Sequence, residues 1–168
     1  MIEQSDKSLV VADAGPLIAL SIMDLLPQLH ELFTEVYVPN AVMDECLHDL
    51  TKTKSTAIKN ALDQGYIKQK KVENTEYCRL LAQILDQGEA EAIGLAIELG
   101  AIALIDEKAG RKVAQREAVS CIGSLYVLVR AKQAGRIKSA TVLLNRLVKQ
   151  GYYLDKNLIK QVQKACNE

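Results

Sequence analysis

No apolar run in this chain comes near the roughly 20 residues that a helix needs to cross a bilayer. The opening residues, MIEQSDKS, are polar and mixed in charge, unlike a signal or transit peptide. A membrane protein is thereby set aside, and a cytoplasmic location is expected. There is no CxxC pair. Cys46, Cys78, Cys121 and Cys166 are widely spaced, His30 stands alone, and Cys46 with His48 lacks the paired spacing of a tetrahedral zinc site. Buried, reduced thiols are the expectation. The phosphate-binding segment GxxxxGKS or GxxxxGKT is missing, which excludes a P-loop enzyme. An excess of one charge is missing as well, since 21 basic and 21 acidic residues balance. That balance argues against a general nucleic-acid coat, though not against a small nuclease with a local basic rim. Repeats, low-complexity tracts and linkers are also absent, so 168 residues read as one domain, 1–168, with a full core.

What is present is an alternation of short β-like runs with helical stretches. It predicts an α/β fold, a central parallel sheet between helical layers. Strands are expected over 9–12, 35–38, 66–72, 101–105 and 119–122, the third an edge because of its lysines. Helices are expected over 17–26, 27–33, 41–50, a stretch capped by Ser55 and closed by Gly65, 76–86, 89–99, 108–117 and 124–134. Pro16 suits a first helical turn, and Asn40 suits an N-cap. The core domain spans 8–135. Two amphipathic helices near 139–149 and 155–166 form a C-terminal extension over 136–168. Their apolar faces carry Val142, Leu143, Leu147, Leu158, Ile159 and Val162, and they are expected to cover the domain's own core, with a homodimer contact as the second choice.

Four acids fall where a parallel sheet places its ligands, beyond the carboxyl ends of its strands. Asp13 closes the first strand and Asp106 the fourth. Glu45 stands about one and a half turns into its helix, and Glu89 begins its own. Each has a plainer reading: a turn or cap for the aspartates, a dipole partner for Glu89, a solvated surface for Glu45. Together they would repel and raise one another's pKa, a cost that a hard cation such as Mg²⁺ or Mn²⁺ relieves. Carboxylates holding such ions serve hydrolysis of a phosphodiester. Glu91 competes with Glu89. Two residues apart, they point about 200° apart on a helix. Glu91 shares a polar strip with Gln87 and Glu98 that looks like solvent, while Glu89 shares its side with Ala92, Ile93 and Ala96. Lys108, Arg111 and Lys112 follow Asp106 and could meet phosphates, or equally could form a solvated helix face. Tyr126, Tyr152 and Tyr153 could stack bases, though packing or a place at an interface is the preferred reading.

The segments VVADAGPLIAL, VPNAVMDE and GEAEAIGLAIELGAIALIDEKAGRKVA resemble the PIN-domain nucleases, in particular the branch of VapC-type toxins of toxin–antitoxin pairs. The resemblance runs from about Val10 to Ile122. It implies a three-layer α/β/α domain whose catalytic and metal-holding acids are Asp13, Glu45, Glu89 and Asp106. It implies Mg²⁺ or Mn²⁺ as cofactor, an RNA substrate, endoribonuclease activity and, for the toxin branch, a small antitoxin partner.

Other acid-bearing folds fit less well. A receiver domain needs an Asp closing its third strand, where this chain has IKQKKV. A haloacid-dehalogenase-like phosphatase needs a second Asp where Gly15 stands. From a different class, a PIN-like module that binds RNA or protein without cleaving is the alternative.

Overall fold

The computed structural model describes residues 8–168. Positions 1–7, most of the polar opening segment, lie outside the described residues. Five strands form one wholly parallel sheet: β1 (Leu9–Ala12), β2 (Glu35–Pro39), β3 (Lys68–Lys70), β4 (Ile102–Leu104) and β5 (Cys121–Ile122). Helices α1 (Ala14–Ile22) and α2 (Leu26–Leu32) link β1 to β2. Helices α3 (Asn40–Leu47) and α4 (Thr53–Asp63) link β2 to β3, and α5 (Thr75–Leu81) and α6 (Gln87–Leu99) link β3 to β4. Helix α7 (Lys108–Arg116) links β4 to β5, and α8 (Ser124–Gln133), α9 (Ala140–Lys149) and α10 (Lys156–Ala165) complete the chain.

The sheet order is β3-β2-β1-β4-β5. From β1 the chain winds outward to β2 and β3, then crosses back to β4 and β5 on the other side. The gap between β1 and β4 is therefore the topological switch point, where open α/β sheets form a crevice at their carboxyl edge. Ala12 pairs with Leu104 across it, and the Asp13 amide donates to the Leu104 carbonyl at 3.0 Å. Asp13 and Asp106 thus leave the sheet on neighbouring strands.

The central strands are apolar on both faces, as parallel strands between helical layers must be. Val10 and Ala12 join Leu17, Leu20, Val42 and Ile58 on one face. Val11, Ala103 and Ile105 join Ile93, Leu95 and Ala114 on the other. The result is the expected three-layer α/β/α arrangement. Gly94 lets α5 lie against α6, since a Cβ there would stand 2.4 Å from the Cys78 sulfur. Helices α9 and α10 sink Leu143, Leu144, Leu147 and Val162 into the larger core, while Val142 and Leu158 stay exposed. Ser139 and Asp155 cap these two helices with their side chains. No helix among the described residues is long and apolar enough to cross a membrane. All four cysteines are free, three of them buried and Cys121 half-buried.

Several helix starts differ from expectation. Helix α1 begins at Ala14, with Asp13 as its N-cap, while Pro16 lies in its first turn as expected. Asn40 does not cap α3; it is the first helical residue, and its Oδ1 accepts from Gln69. Ser55 lies buried within α4 rather than at its start. Helix α6 begins at Gln87 because Asp86 and Glu89 form a capping box: the Asp86 side chain takes the Glu89 amide, and Glu89 reaches back to the Asp86 amide. Gly88 is therefore inside the helix and does not separate two. Strand β3 is the expected edge but keeps three residues, all exposed.

Candidate active site

Asp13 is 6 % exposed. As an N-cap residue it would ordinarily offer its carboxylate to the helix amides, yet its side chain makes no capping hydrogen bond. Its carboxyl is pushed up to about 7, first by burial and then by Asp86, Glu89 and Glu45, while the Ala14 amide pulls the other way. Those three neighbours show what the fold assembles around it. Glu45 projects from α3, exposed, and its carboxyl is raised by partial burial and by Asp86, with His48 opposing. Glu89, 6 % exposed, is raised by burial and by Asp86, against its hydrogen bond from the Asp86 amide. Asp86 is the exposed N-cap of α6 and raises all three.

Gly88 lies against the cluster. A Cβ there would lie 3.2 Å from Glu45 Oε2, 3.3 Å from Val42 and 3.5 Å from Asp13 Oδ1. The hydrogen at that position leaves open space between the two carboxylates, next to the first turn of α6.

Asp106 is held differently. Its Oδ1 accepts from the Ser124 amide at 2.7 Å and its Oδ2 from the Ser124 hydroxyl at 2.8 Å. It fastens the end of β4 to the start of α8. Beside it, Arg111 donates from Nη1 to the Ile105 carbonyl at 3.3 Å. A Cβ on Gly123 would lie 2.9 Å from Asp106 Oδ1 and 3.0 Å from Arg111 Nη1, so that glycine lets acid and guanidinium close over one backbone position. Of the four predicted acids, Asp13, Glu45 and Glu89 form one electrostatic group, and Asp106 stands on the adjacent strand end, turned to Ser124.

Glu91 points elsewhere, and the polar strip expected to face solvent is engaged. Glu91 Oε2 accepts from the Ala41 amide at 2.9 Å, so it closes the start of α3. Glu98 accepts from the Glu73 and Asn74 amides. Gln87 donates to Glu91. Asp86 and Ser124 were the residues missed by sequence reasoning. Asp86 had a readable signal, an acid three residues before Glu89 at a helix start. Ser124 had none, because its partner is 18 residues away.

Lys108, Arg111 and Lys112 occupy one exposed side of α7, at the i, i+3, i+4 spacing that groups side chains. Arg116 pairs with Glu117 at 3.8 Å, whereas the other three have no carboxylate partner among the described residues. Tyr152 is half-buried and donates its hydroxyl to the Gly15 carbonyl at 3.1 Å. Cys46 is buried, with its thiol pushed up to about 12, first by burial and then by Glu45 and Asp13, which disfavours a zinc thiolate.

Among the described residues no group of three or more His, Cys, Asp or Glu side chains is already gathered as a metal cage. The donors at the switch point are nevertheless all oxygen, they repel one another, and Gly88 leaves room between two of them. Those properties fit a hard divalent cation. No curated protein matches the chain. The family model described as a PIN domain matches residues 9–168, nearly the whole molecule, so the chain belongs to the PIN-domain family, whose members are in general nucleases.

Proposed function

We propose that this protein is a metal-dependent endoribonuclease that cuts RNA at the switch point between β1 and β4. The observation that carries the reading is Asp13: a buried carboxylate that makes no capping hydrogen bond and whose charged neighbours Asp86, Glu89 and Glu45 all raise it. A fold bears that cost only when something at the site offsets it. Asp13, Glu45, Glu89 and Asp106 are the residues that would hold Mg²⁺ or Mn²⁺. Bound there, such an ion supplies an activated water and positive charge for the departing oxyanion.

The chain's own residues do the rest. Gly88 keeps the space between Asp13 and Glu45 open. Ser124 fixes Asp106 through both of its oxygens, so that its direction does not drift. The capping box holds Glu89 at the positive end of α6, which favours its ionised form. Acids alone would repel a phosphodiester. Lys108, Arg111 and Lys112, flanking the acids, hold the strand's phosphates against that repulsion. A role as the toxin of a toxin–antitoxin pair, neutralised by a small antitoxin, extends the same reading, and the resemblance at Asp13, Glu45, Glu89 and Asp106 supports it.

The test is incubation of the purified chain with a panel of structured and single-stranded RNAs, with Mg²⁺, with Mn²⁺ and with neither. Cleavage that appears with the metals and disappears on chelation is expected. Binding of RNA without cleavage under any condition would assign the chain to the non-catalytic class and sink the proposal.

A further inference from the structure

Two grooves meet at Arg111 and Cys121. One, about 550 Å³, follows the exposed side of α7 past Lys108, Arg111 and Lys112. The other, about 430 Å³, begins at Asp106 and Arg111 and runs between Tyr126, Tyr152, Tyr153 and Leu158. The first carries three cations, Lys108, Arg111 and Lys112, beside Gln115, Ser120 and small apolar side chains. The second, beyond its mouth, is walled by rings and aliphatic groups, and the segment after α9 supplies much of that wall. Its size falls in the range of about 300–1,000 Å³ common for small-ligand sites.

The three rings of the second groove are held differently. Tyr152 is pinned through its hydroxyl to Gly15, directly after the first turn residue of α1. Tyr153 is 88 % exposed and has a free ring face. Tyr126 is partly exposed with the Arg130 guanidinium over its ring at 6.0 Å. Cations, then a carboxylate, then aromatic rings follow one another along a continuous surface. That order matches a single strand of nucleic acid: phosphates, a phosphodiester at the acids, and a base with a π-face. A duplex buries its base faces in its own stack, so only an unpaired base meets these rings.

We propose that the second groove is a subsite for one unpaired nucleobase of the RNA strand, stacked on Tyr153, with the adjoining phosphate on Arg111. The proposal rests on the nuclease reading for the identity of the strand, and it makes the C-terminal extension part of substrate recognition.

The experiment is fluorescence anisotropy on the full chain in chelator, so that no cleavage occurs. The probes are a short labelled oligouridylate and an abasic ribose-phosphate strand of equal length. The base-bearing strand is expected to bind several-fold more tightly. Tyr153→Ala should cost it about tenfold, the size of one lost stack, and leave the abasic strand unchanged. Arg111→Ala should weaken both. Equal affinity for the two strands, no binding of either, or an unaffected Tyr153→Ala protein overturns the subsite. A Tyr153→Ala change in oligomeric state without change in RNA affinity assigns the groove to a second copy and overturns it too. Because the assay contains no metal, a failure of cleavage and a failure of the subsite are read separately.

Discussion

Asp13 and Asp106 close neighbouring strands, but their surroundings give them different costs. Both Asp106 oxygens are satisfied by Ser124. Asp13 is buried with only the Ala14 amide to offset that burial, and its carboxyl stands at about 7 against an ordinary 3.8. An acid with a raised pKa holds its proton more tightly folded than unfolded. The unfolded chain gives up that proton above about pH 4, the folded chain near 7, so stability falls across this window and the full penalty applies above it. Asn carries no such charge. Asp13→Asn is therefore expected to stabilise the fold in metal-free buffer near pH 8 by on the order of 1–4 kcal/mol, and so to raise Tm. The gain should shrink steadily as the pH is lowered toward 4. Added Mg²⁺ should stabilise the parent chain and not the variant, and cleavage should be lost. Calorimetry across pH checks this. A variant that unfolds at every pH would make Asp13 a structural residue.

At the scale of elements, α6 does two jobs on two sides. Its first turn brings Glu89 to the acids, while Glu91, about 200° around the helix, caps α3 through the Ala41 amide. Glu89→Gln keeps an acceptor for the Asp86 amide but removes the charge. Metal-dependent cleavage is expected to disappear with Tm nearly unchanged. Glu91→Gln should retain most cleavage, and Glu91→Ala should cost about 1 kcal/mol of stability as a lost cap. The comparison is made with single-turnover rates and thermal melts side by side. Loss of cleavage in Glu91→Gln with retention in Glu89→Gln would reverse the two roles. This helix also shows how far a sequence can be read. The strands expected over 9–12 and 101–105 and the side of α6 bearing Glu89 were legible because burial on two faces leaves a continuous apolar run, and burial on one side of a helix leaves its period. The contacts of Glu91 and Glu98 were not, because a cap supplied from 50 residues away leaves none. Asn40 and Ser55 have good capping chemistry, but Glu91 already serves α3, and Ser55 is buried inside α4. Asp13, Glu45, Glu89 and Asp106 could be placed from strand and helix ends. Asp86 was hidden because the helix was started two residues late, at 89, and Asp86 was taken as the end of the helix before it.

For the whole molecule, the question is whether residues beyond Gly135 are an accessory or part of the core. Leu143, Leu144, Leu147 and Val162 lie in the same apolar cluster as Val10, Leu17 and Leu20, and each such side chain contributes about 1.5–3 kcal/mol when buried. Polar ties reach the same elements. Arg146 donates to the Ile22 carbonyl at 3.2 Å and to Asp24 at 2.7 Å. Glu168 closes the start of α9: it accepts from the Ala140 amide at 2.7 Å and the Thr141 amide at 2.8 Å, and pairs with Lys132 at 3.0 Å. Hydrogen bonds from Thr141 and Ala140 hold the Glu168 carboxyl well below its ordinary 4.5. A depressed pKa contributes stability above that ordinary value, and the contribution is lost as pH falls toward the folded one. Glu168→Ala should thus lower Tm at neutral pH, with the difference narrowing below about pH 4.5. Removal of 139–168 is the stronger test. Domain stabilities are about 5–15 kcal/mol, and this deletion removes four large core side chains and bares what they cover. The truncated chain is expected to be insoluble or to lose cooperative unfolding, while the full chain melts in one transition. A truncated protein that stays soluble, monomeric and cooperatively folded, beside a full-length chain that dimerises, would instead make these helices an interface between copies.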